Sequence, residues 1–87
     1  MIELEVYAKG LRTESTLKEL HGQMDQFPQV RYKIDTHHDL VYFEIDAGSQ
    51  VSLRKLTAIF TNIGLIPRIV GQIPAGLAPD DGTQRLD

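Results

Sequence analysis

The residues best suited to chemistry lie where an alternating segment meets a helical one. The start of a helix presents unpaired N–H groups that can bind anions or polar ligands. A positive charge and two hydroxyls accompany them, so this junction is a candidate ligand loop made of Gly10, Leu11, Arg12, Thr13 and Thr16. The simpler interpretation makes Thr13 a helix N-cap and Thr16 a first-turn residue.

A second candidate site is the histidine pair His37 and His38, which Asp35 and Asp39 flank. Imidazole and carboxylate ligands suit Zn or Ni. Adjacent residues on a strand point to opposite faces, so a single site needs an unusual turn. A solvated hairpin is the simpler interpretation, and we expect no resident metal or cofactor.

No catalytic constellation is visible. The chain has no cysteine, which excludes disulfides, thiolate metal sites and cysteine nucleophiles. No glycine-rich phosphate loop and no nucleophile–base pairing can be recognised. His21 lies at the margin of a helical apolar stripe and has no partner near it in sequence. We therefore expect a protein that is not an enzyme.

Composition narrows the class of partner. The chain has 87 residues, of which 41% are hydrophobic and 24% charged, as is typical of one globular domain. Its net charge of −3 disfavours nucleic acid, because phosphate neutralisation needs a basic face. No apolar run is long enough for a membrane span, and Met1 leads directly into an alternating segment. A cytoplasmic location is the expectation.

The first half of the chain predicts a strand, a helix and a strand. Residues 2–8 alternate apolar and polar side chains, as a half-buried strand does. Thr13 then starts a helix whose apolar positions are Leu17, Leu20, Met24 and Phe27, and Pro28 stops it. Gly22 falls on its solvent side. Residues 30–35 alternate again and predict a second strand.

The second half of the chain predicts the same order of strand, helix and strand, and a hairpin connects it to the first half. Residues 35–39 are polar and predict a hairpin, followed by a third strand over 40–46 and a turn over 46–50. Ser52 starts a second helix with the inner residues Leu53, Leu56, Phe60 and Ile63, and Ile59 at their border. Gly64 is its left-handed cap. Residues 65–70 predict a fourth strand, placed at an edge because Pro67 cannot donate to a ladder.

This order predicts an α+β, ferredoxin-like βαββαβ sandwich: a four-stranded antiparallel sheet with two helices on one face. The first and third strands are central in that topology. We assign residues 1–72 to the domain and 73–87, which show no period, to a flexible C-terminal tail.

The junction resembles that of the heavy-metal-associated domain family of copper chaperones and copper-ATPase domains. The family's motif reads G-M-x-C-x-x-C; here the frame is Gly10-Leu11-Arg12-Thr13-Glu14-Ser15-Thr16, followed by Leu17. Further matches are Phe27-Pro28-Gln29-Val30, Val51-Ser52 and Asn62-Ile63-Gly64-Leu65. The resemblance covers about residues 3–70 and implies the ferredoxin-like fold. Both cysteine positions of the motif are threonine, however, and a neutral hydroxyl cannot replace a thiolate for Cu(I).

The predicted open face of the sheet carries Tyr7 and Tyr42 on its two central strands. Tyrosine is enriched at protein interfaces, whereas the surrounding glutamates would repel RNA phosphates. The alternative for this face is a solvated surface with cross-strand pairs such as Lys33 with Glu44.

We therefore expect a non-enzymatic interaction module that binds a protein partner or a second copy and lacks the usual metal. Two alternatives are a small-molecule or anion sensor similar to ACT domains, and a weak metal carrier that uses His37 and His38.

Overall fold

The computed structural model describes residues 1–46, 48–49 and 51–74. Its elements, in chain order, are β1 (Ile2–Tyr7), α1 (Glu14–Met24), β2 (Val30–Asp35), β3 (Leu40–Ile45), α2 (Leu53–Thr61) and β4 (Arg68–Ile69). The predicted βαββαβ order is confirmed. The predicted tail from residue 75 onward, and Ala47 and Gln50 of the predicted turn, lie outside the described residues.

The four strands form one antiparallel sheet in the order β2-β3-β1-β4, so β1 and β3 are central as predicted. β4 is also at an edge, but it is shorter than the predicted 65–70. It pairs with β1 through Val6 opposite Ile69 and Tyr7 opposite Arg68, and the N–H of the following Val70 donates to the carbonyl of Glu5 at 2.9 Å. Pro67 before it has no N–H to donate, and Gly71 after it turns the chain at φ 76°.

The core lies between the sheet and the two helices. β1 contributes Leu4 and Val6, and β3 contributes Val41, Phe43 and Ile45, as the period of two predicts. Phe43 meets Phe60 of α2 edge-to-face, with ring centroids 6.1 Å apart. Ile59, expected at the border of α2, is instead fully buried beside Leu56 and Phe60.

Both predicted N-caps are confirmed. Thr13 caps α1 through a bond from the N–H of Thr16, and Ser52 caps α2 through a bond from the N–H of Lys55. α1 ends at Met24, before Pro28, so the half-buried Phe27 lies in the turn and not on the helix.

α2 ends in a Schellman arrangement around Gly64. The N–H of Leu65 donates to the carbonyl of Phe60, and the N–H of Gly64 donates to that of Thr61. Gly64 has φ 84°, which confirms the predicted left-handed cap. Among the described residues, no helix has the length and apolar character that a bilayer crossing requires.

Candidate functional site

The two threonines of the candidate ligand loop bond to each other. The Thr13 hydroxyl donates to the Thr16 hydroxyl at 2.6 Å, and the N–H of Thr16 donates back to Thr13 Oγ1 at 3.3 Å. Thr13 has the extended backbone of an N-cap, with φ −79° and ψ 145°. Their polar groups thus serve the helix start, as the simpler interpretation of the loop has it.

Gly10 and Leu11, which precede the N-cap Thr13, determine the conformation of the loop. Gly10 has φ 103°, and a Cβ at this position would lie 3.4 Å from the side chain of Leu65. This left-handed conformation favours glycine and turns the chain out of β1. Leu11 is fully buried in the core, which fixes the loop from beneath.

Arg12 connects the candidate ligand loop to the histidine hairpin. Its Nε donates to the carbonyl of Thr36 at 3.1 Å and its Nη2 to the carbonyl of His37 at 3.0 Å. Its Nε also lies 3.7 Å from Oδ1 of Asp39. We call these three contacts the Arg12 latch. The sequence offers the loop and the hairpin as separate candidate sites, whereas the structure joins them through this side chain.

Asp39 is the unusual residue of the latch. It has φ 55°, the left-handed region that is uncommon outside glycine, and it is buried. Its carbonyl accepts a hydrogen bond from the N–H of Ala8 at 2.9 Å, which ties the hairpin to the end of β1. Its Oδ1 has no hydrogen-bond partner among the described residues, so Arg12 is the nearest compensating charge.

The histidine hairpin is organised by Asp35. Its Oδ1 accepts from the N–H of His37 at 3.0 Å, and its Oδ2 lies 2.9 Å from Nδ1 of His38. The hydrogen bond with His38, followed by the charge of His38 and the N–H bonds, lowers the pKa of Asp35 below its ordinary value despite some desolvation. Within residues 1–46, 48–49 and 51–74, no three side chains are placed to hold a metal ion.

His21 has a partner that sequence analysis did not find. Its Nδ1 lies 2.5 Å from the hydroxyl of Tyr32, and the two rings are tilted by 51°. This contact joins α1 to β2. Desolvation, with a smaller contribution from Asp25, raises the pKa of Tyr32. A contact across eleven positions and two elements leaves no local signal in the sequence.

The open sheet face is the surface opposite the helices, formed by Glu3, Glu5, Tyr7, Arg31, Lys33, Asp35, Leu40, Tyr42, Glu44, Arg68 and Val70. Tyr42 lies opposite Glu5 and Lys33, and Tyr7 lies opposite Leu40, so the two tyrosines are diagonal neighbours. Tyr42 and Val70 are 36% and 41% exposed. Burial of Tyr42 against the sheet, with the charges of Glu5 and Asp35, raises its pKa.

The charges of this face pair differently from the prediction. Arg31, and not Lys33, lies opposite Glu44 and bonds to it at 3.3 Å; Arg31 also bonds to Asp46 at 3.3 Å. Hydrogen bonds to these two carboxylates raise the pKa of Arg31 further. Glu3 lies directly opposite Glu44 in the register. Around Tyr42, the carboxylates of Glu3 and Glu5 therefore lie on the β1 side and the ammonium of Lys33 lies on the β2 side.

Comparison with solved structures finds the same fold in metal-binding proteins. A yeast copper transporter domain, described in apo and Cu(I)-loaded states, has a TM-score of 0.67 and 14% identity, over 82% of this chain and 97% of its own. A copper-binding domain of a P-type ATPase has 0.67 and 11%, over 82% and 96%. A gold-binding protein has 0.63 and 13%, over 77% and 98%.

No protein-family profile matches the sequence, and no match is found among curated proteins. Identities this low show the fold alone. The fold that the heavy-metal-associated resemblance implied is therefore confirmed. Whether this chain binds a metal has to be judged from its own residues.

Proposed function

We propose that this chain is a protein-contact module: a heavy-metal-associated scaffold that has lost its thiolate site, is not an enzyme, and binds its partner through the open sheet face. The observation that carries the proposal is the hydrogen bonding of the candidate ligand loop. Both residues at the family's cysteine positions, Thr13 and Thr16, bond to each other and to the helix start.

The chemistry of the loop supports the loss of metal. Cu(I) and Zn(II) sites of this kind need deprotonated sulfur ligands, and a threonine hydroxyl stays neutral at physiological pH. The chain has no cysteine to replace them. The Arg12 latch also occupies two donor nitrogens of the guanidinium with hairpin carbonyls, which weakens the alternative of an anion-sensing loop.

The open sheet face supports protein contact. Tyr42 on β3 and Val70, just after β4, are exposed on this face, and tyrosine combines apolar area with one hydrogen-bonding group at low entropic cost. Glu3 and Glu5 form no ion pair within the described part of the chain. A partner with apolar and cationic side chains complements this surface, whereas RNA phosphate does not.

The loss of metal is tested by restoring the thiolates. Two Zn–S bonds of about 2.3 Å at a tetrahedral angle place the sulfurs about 3.8 Å apart. The two hydroxyls are 2.6 Å apart, so a Thr13→Cys, Thr16→Cys variant needs a separation of only about 1 Å more. Titration with Zn(II), to which this spacing applies, and with Cu(I), each against a competing chelator, should give one tightly held ion per double-variant chain and none per wild-type chain.

A wild-type complex with one ion and a Kd of about 1 nM or tighter overturns the proposal. Failure of the double variant to bind more tightly than wild type contradicts the proposed relation of this loop to a metal loop. Thr13→Ser, Thr16→Ser is the matched control, because it keeps the hydroxyls and supplies no sulfur.

The proposed contact surface is tested with a substitution on the open sheet face that leaves the core unchanged. Tyr42→Ala should abolish the complexes that tagged wild-type protein forms in its native cells, measured as intact masses. Glu19→Ala, at an exposed position of α1, is the control and should leave them unchanged. Equal complexes with wild type and Tyr42→Ala contradict the assignment of the contact to this face.

A further inference from the structure

The sheet ends in two very different edges. β4 offers two paired residues between Pro67 and Gly71, so it cannot extend far. β2 is six residues long and pairs with β3 along its whole length. No other strand of the described chain lies on its outer side. β2 is therefore the long free edge in residues 1–46, 48–49 and 51–74.

The backbone of β2 directs specific groups outward. The N–H of Val30 donates to the carbonyl of Phe27 at 3.0 Å and so points away from β3. Because alternate residues of an antiparallel strand direct their N–H groups to the same side, those of Tyr32 and Ile34 point outward as well. The register with β3 runs without a bulge and β2 has no proline, so two common protections of an edge are missing; the charged side chain of Lys33 is a protection that remains and that a partner strand must compensate.

The side chains of β2 add apolar and charged groups. Tyr32 and Ile34 are half-buried, packed against the rim of the core. Arg31 is neutralised within its own chain by Glu44 and Asp46. Lys33 has no ion pair in the described residues, and Asp35 lies two positions along on the same face of the strand.

We propose that β2 pairs antiparallel with β2 of a second copy of this chain, about a two-fold axis at Ile34. Charges exclude four other registers, and an axis at Val30 would need an N–H that already donates to the carbonyl of Phe27. Axes at Arg31, Lys33 or Asp35 place each of these residues opposite its own equivalent, and an axis at Tyr32 places Arg31 opposite Lys33. These four registers oppose like charges, which destabilises strand pairs.

The axis at Ile34 instead places Lys33 of each copy opposite Asp35 of the other. It also brings the two Ile34 residues together as a hydrogen-bonded pair, because both have outward N–H groups. The two four-stranded sheets then join into one of eight strands. The area covered by one short strand pair is small, so the dimer is weak and its two charge pairs make it salt-sensitive.

Single cysteines test the register, since the native chain has none. In a hydrogen-bonded antiparallel pair the opposed Cα atoms are about 5.5 Å apart, within the range of a disulfide. Under mild oxidation the Ile34→Cys protein should form a covalent dimer at least about tenfold faster than Lys33→Cys or Tyr32→Cys. Faster linkage of either control overturns the register.

Sedimentation equilibrium tests the dimer itself. The wild-type mass should rise from 9.8 kDa toward twice that value with concentration, and the rise should shrink at high salt. Ile34→Pro removes an N–H that the monomer does not use and should stay monomeric, whereas Ile34→Val should dimerise. A wild-type protein that remains monomeric up to about 1 mM, with no preferential cross-linking, overturns the inference.

This inference uses the β2 edge and neither the metal loop nor Tyr42. Its failure therefore leaves the proposed function in place, and a dimer in a protein that binds Cu(I) tightly leaves the inference in place. If Ile34→Pro fails to fold, as far-UV circular dichroism would show, the cysteine series still decides the register.

Discussion

Removal of the Arg12 side chain should loosen the connection between the α1 loop and the β2–β3 hairpin. Arg12→Ala deletes two hydrogen bonds to the carbonyls of Thr36 and His37 and the 3.7 Å contact with Asp39. The Arg12 side chain is 66% exposed, so each bond is assigned the low end of the usual range, about 0.5 kcal/mol.

The larger contribution comes from Asp39. Its side chain is only 12% exposed and its Oδ1 has no hydrogen-bond partner in the described residues, so loss of Arg12 leaves a poorly solvated carboxylate. This adds about 1 kcal/mol, for a total of about 2 kcal/mol. With a urea m-value of about 1 kcal/mol/M for a small domain, the unfolding midpoint should fall by about 2 M.

Hydrogen exchange locates the effect. The amide of Ala8, which donates to the carbonyl of Asp39, should exchange faster in Arg12→Ala than the amides of β3. Arg68→Ala, at an exposed position of β4, is the control for loss of one surface charge. If Arg12→Ala and Arg68→Ala unfold at the same midpoint, the latch does not stabilise the fold and the reasoning is refuted.

Two further predictions concern the helices and the hairpin. Gly22→Ala should stabilise the protein by about 1 kcal/mol, because Gly22 is exposed within α1 and an added Cβ meets nothing within 4 Å. Gly64→Ala, at φ 84°, should destabilise it by about 1 kcal/mol; thermal unfolding of both variants checks the pair, and equal melting temperatures contradict it. The lowered pKa of Asp35 means that its folded-state stabilisation is present above the ordinary value of 3.8 and is lost as pH falls through the lower folded pKa. Asp35→Asn should therefore flatten the pH dependence of stability in that acidic window, measured as the urea midpoint at each pH. If the midpoint changes with pH equally in wild type and variant, His38 does not have this role.

The main elements could be predicted because their signals are local. The alternation of β1 and β3, the caps Thr13 and Ser52, and the left-handed Gly64 each depend on a few neighbouring residues and on period or backbone conformation. The edge position of β4 followed from the missing N–H of Pro67. These features need no knowledge of distant contacts.

The errors depend on register and on distant contacts. Charge alone predicts a pair between Lys33 and Glu44, but a hairpin that contains Asp39 at φ 55° sets a register in which Arg31 lies opposite Glu44. A shift of the β2–β3 register by two positions would place Lys33 instead of Arg31 opposite Glu44, on the same face of the sheet. β4 is shorter than predicted mainly because residues 65–67 do not pair with β1: the N–H of Leu65 donates to the carbonyl of Phe60 in the helix cap, and Pro67 has no N–H to donate.

The candidate loop forms one segment, and the N-cap that the simpler interpretation assigns to Thr13 is confirmed. Gly10, Leu11, Arg12, Thr13 and Thr16 do form one loop, but Arg12 serves the hairpin and the threonines serve the helix. No sequence pattern connects Arg12 to Thr36 and His37, because a long arginine can reach carbonyls on any neighbouring element. Only the fold brings the two candidate sites together.

The central claim is that this scaffold acts without a metal in its loop. Native mass spectrometry of the protein purified from its own cells, without chelators, tests it most directly. The account predicts the chain mass of 9.8 kDa, its dimer, or a complex with another protein, each free of bound copper or zinc. A stoichiometric copper or zinc ion retained by wild type, and lost when Thr13 and Thr16 are changed to alanine, would contradict it.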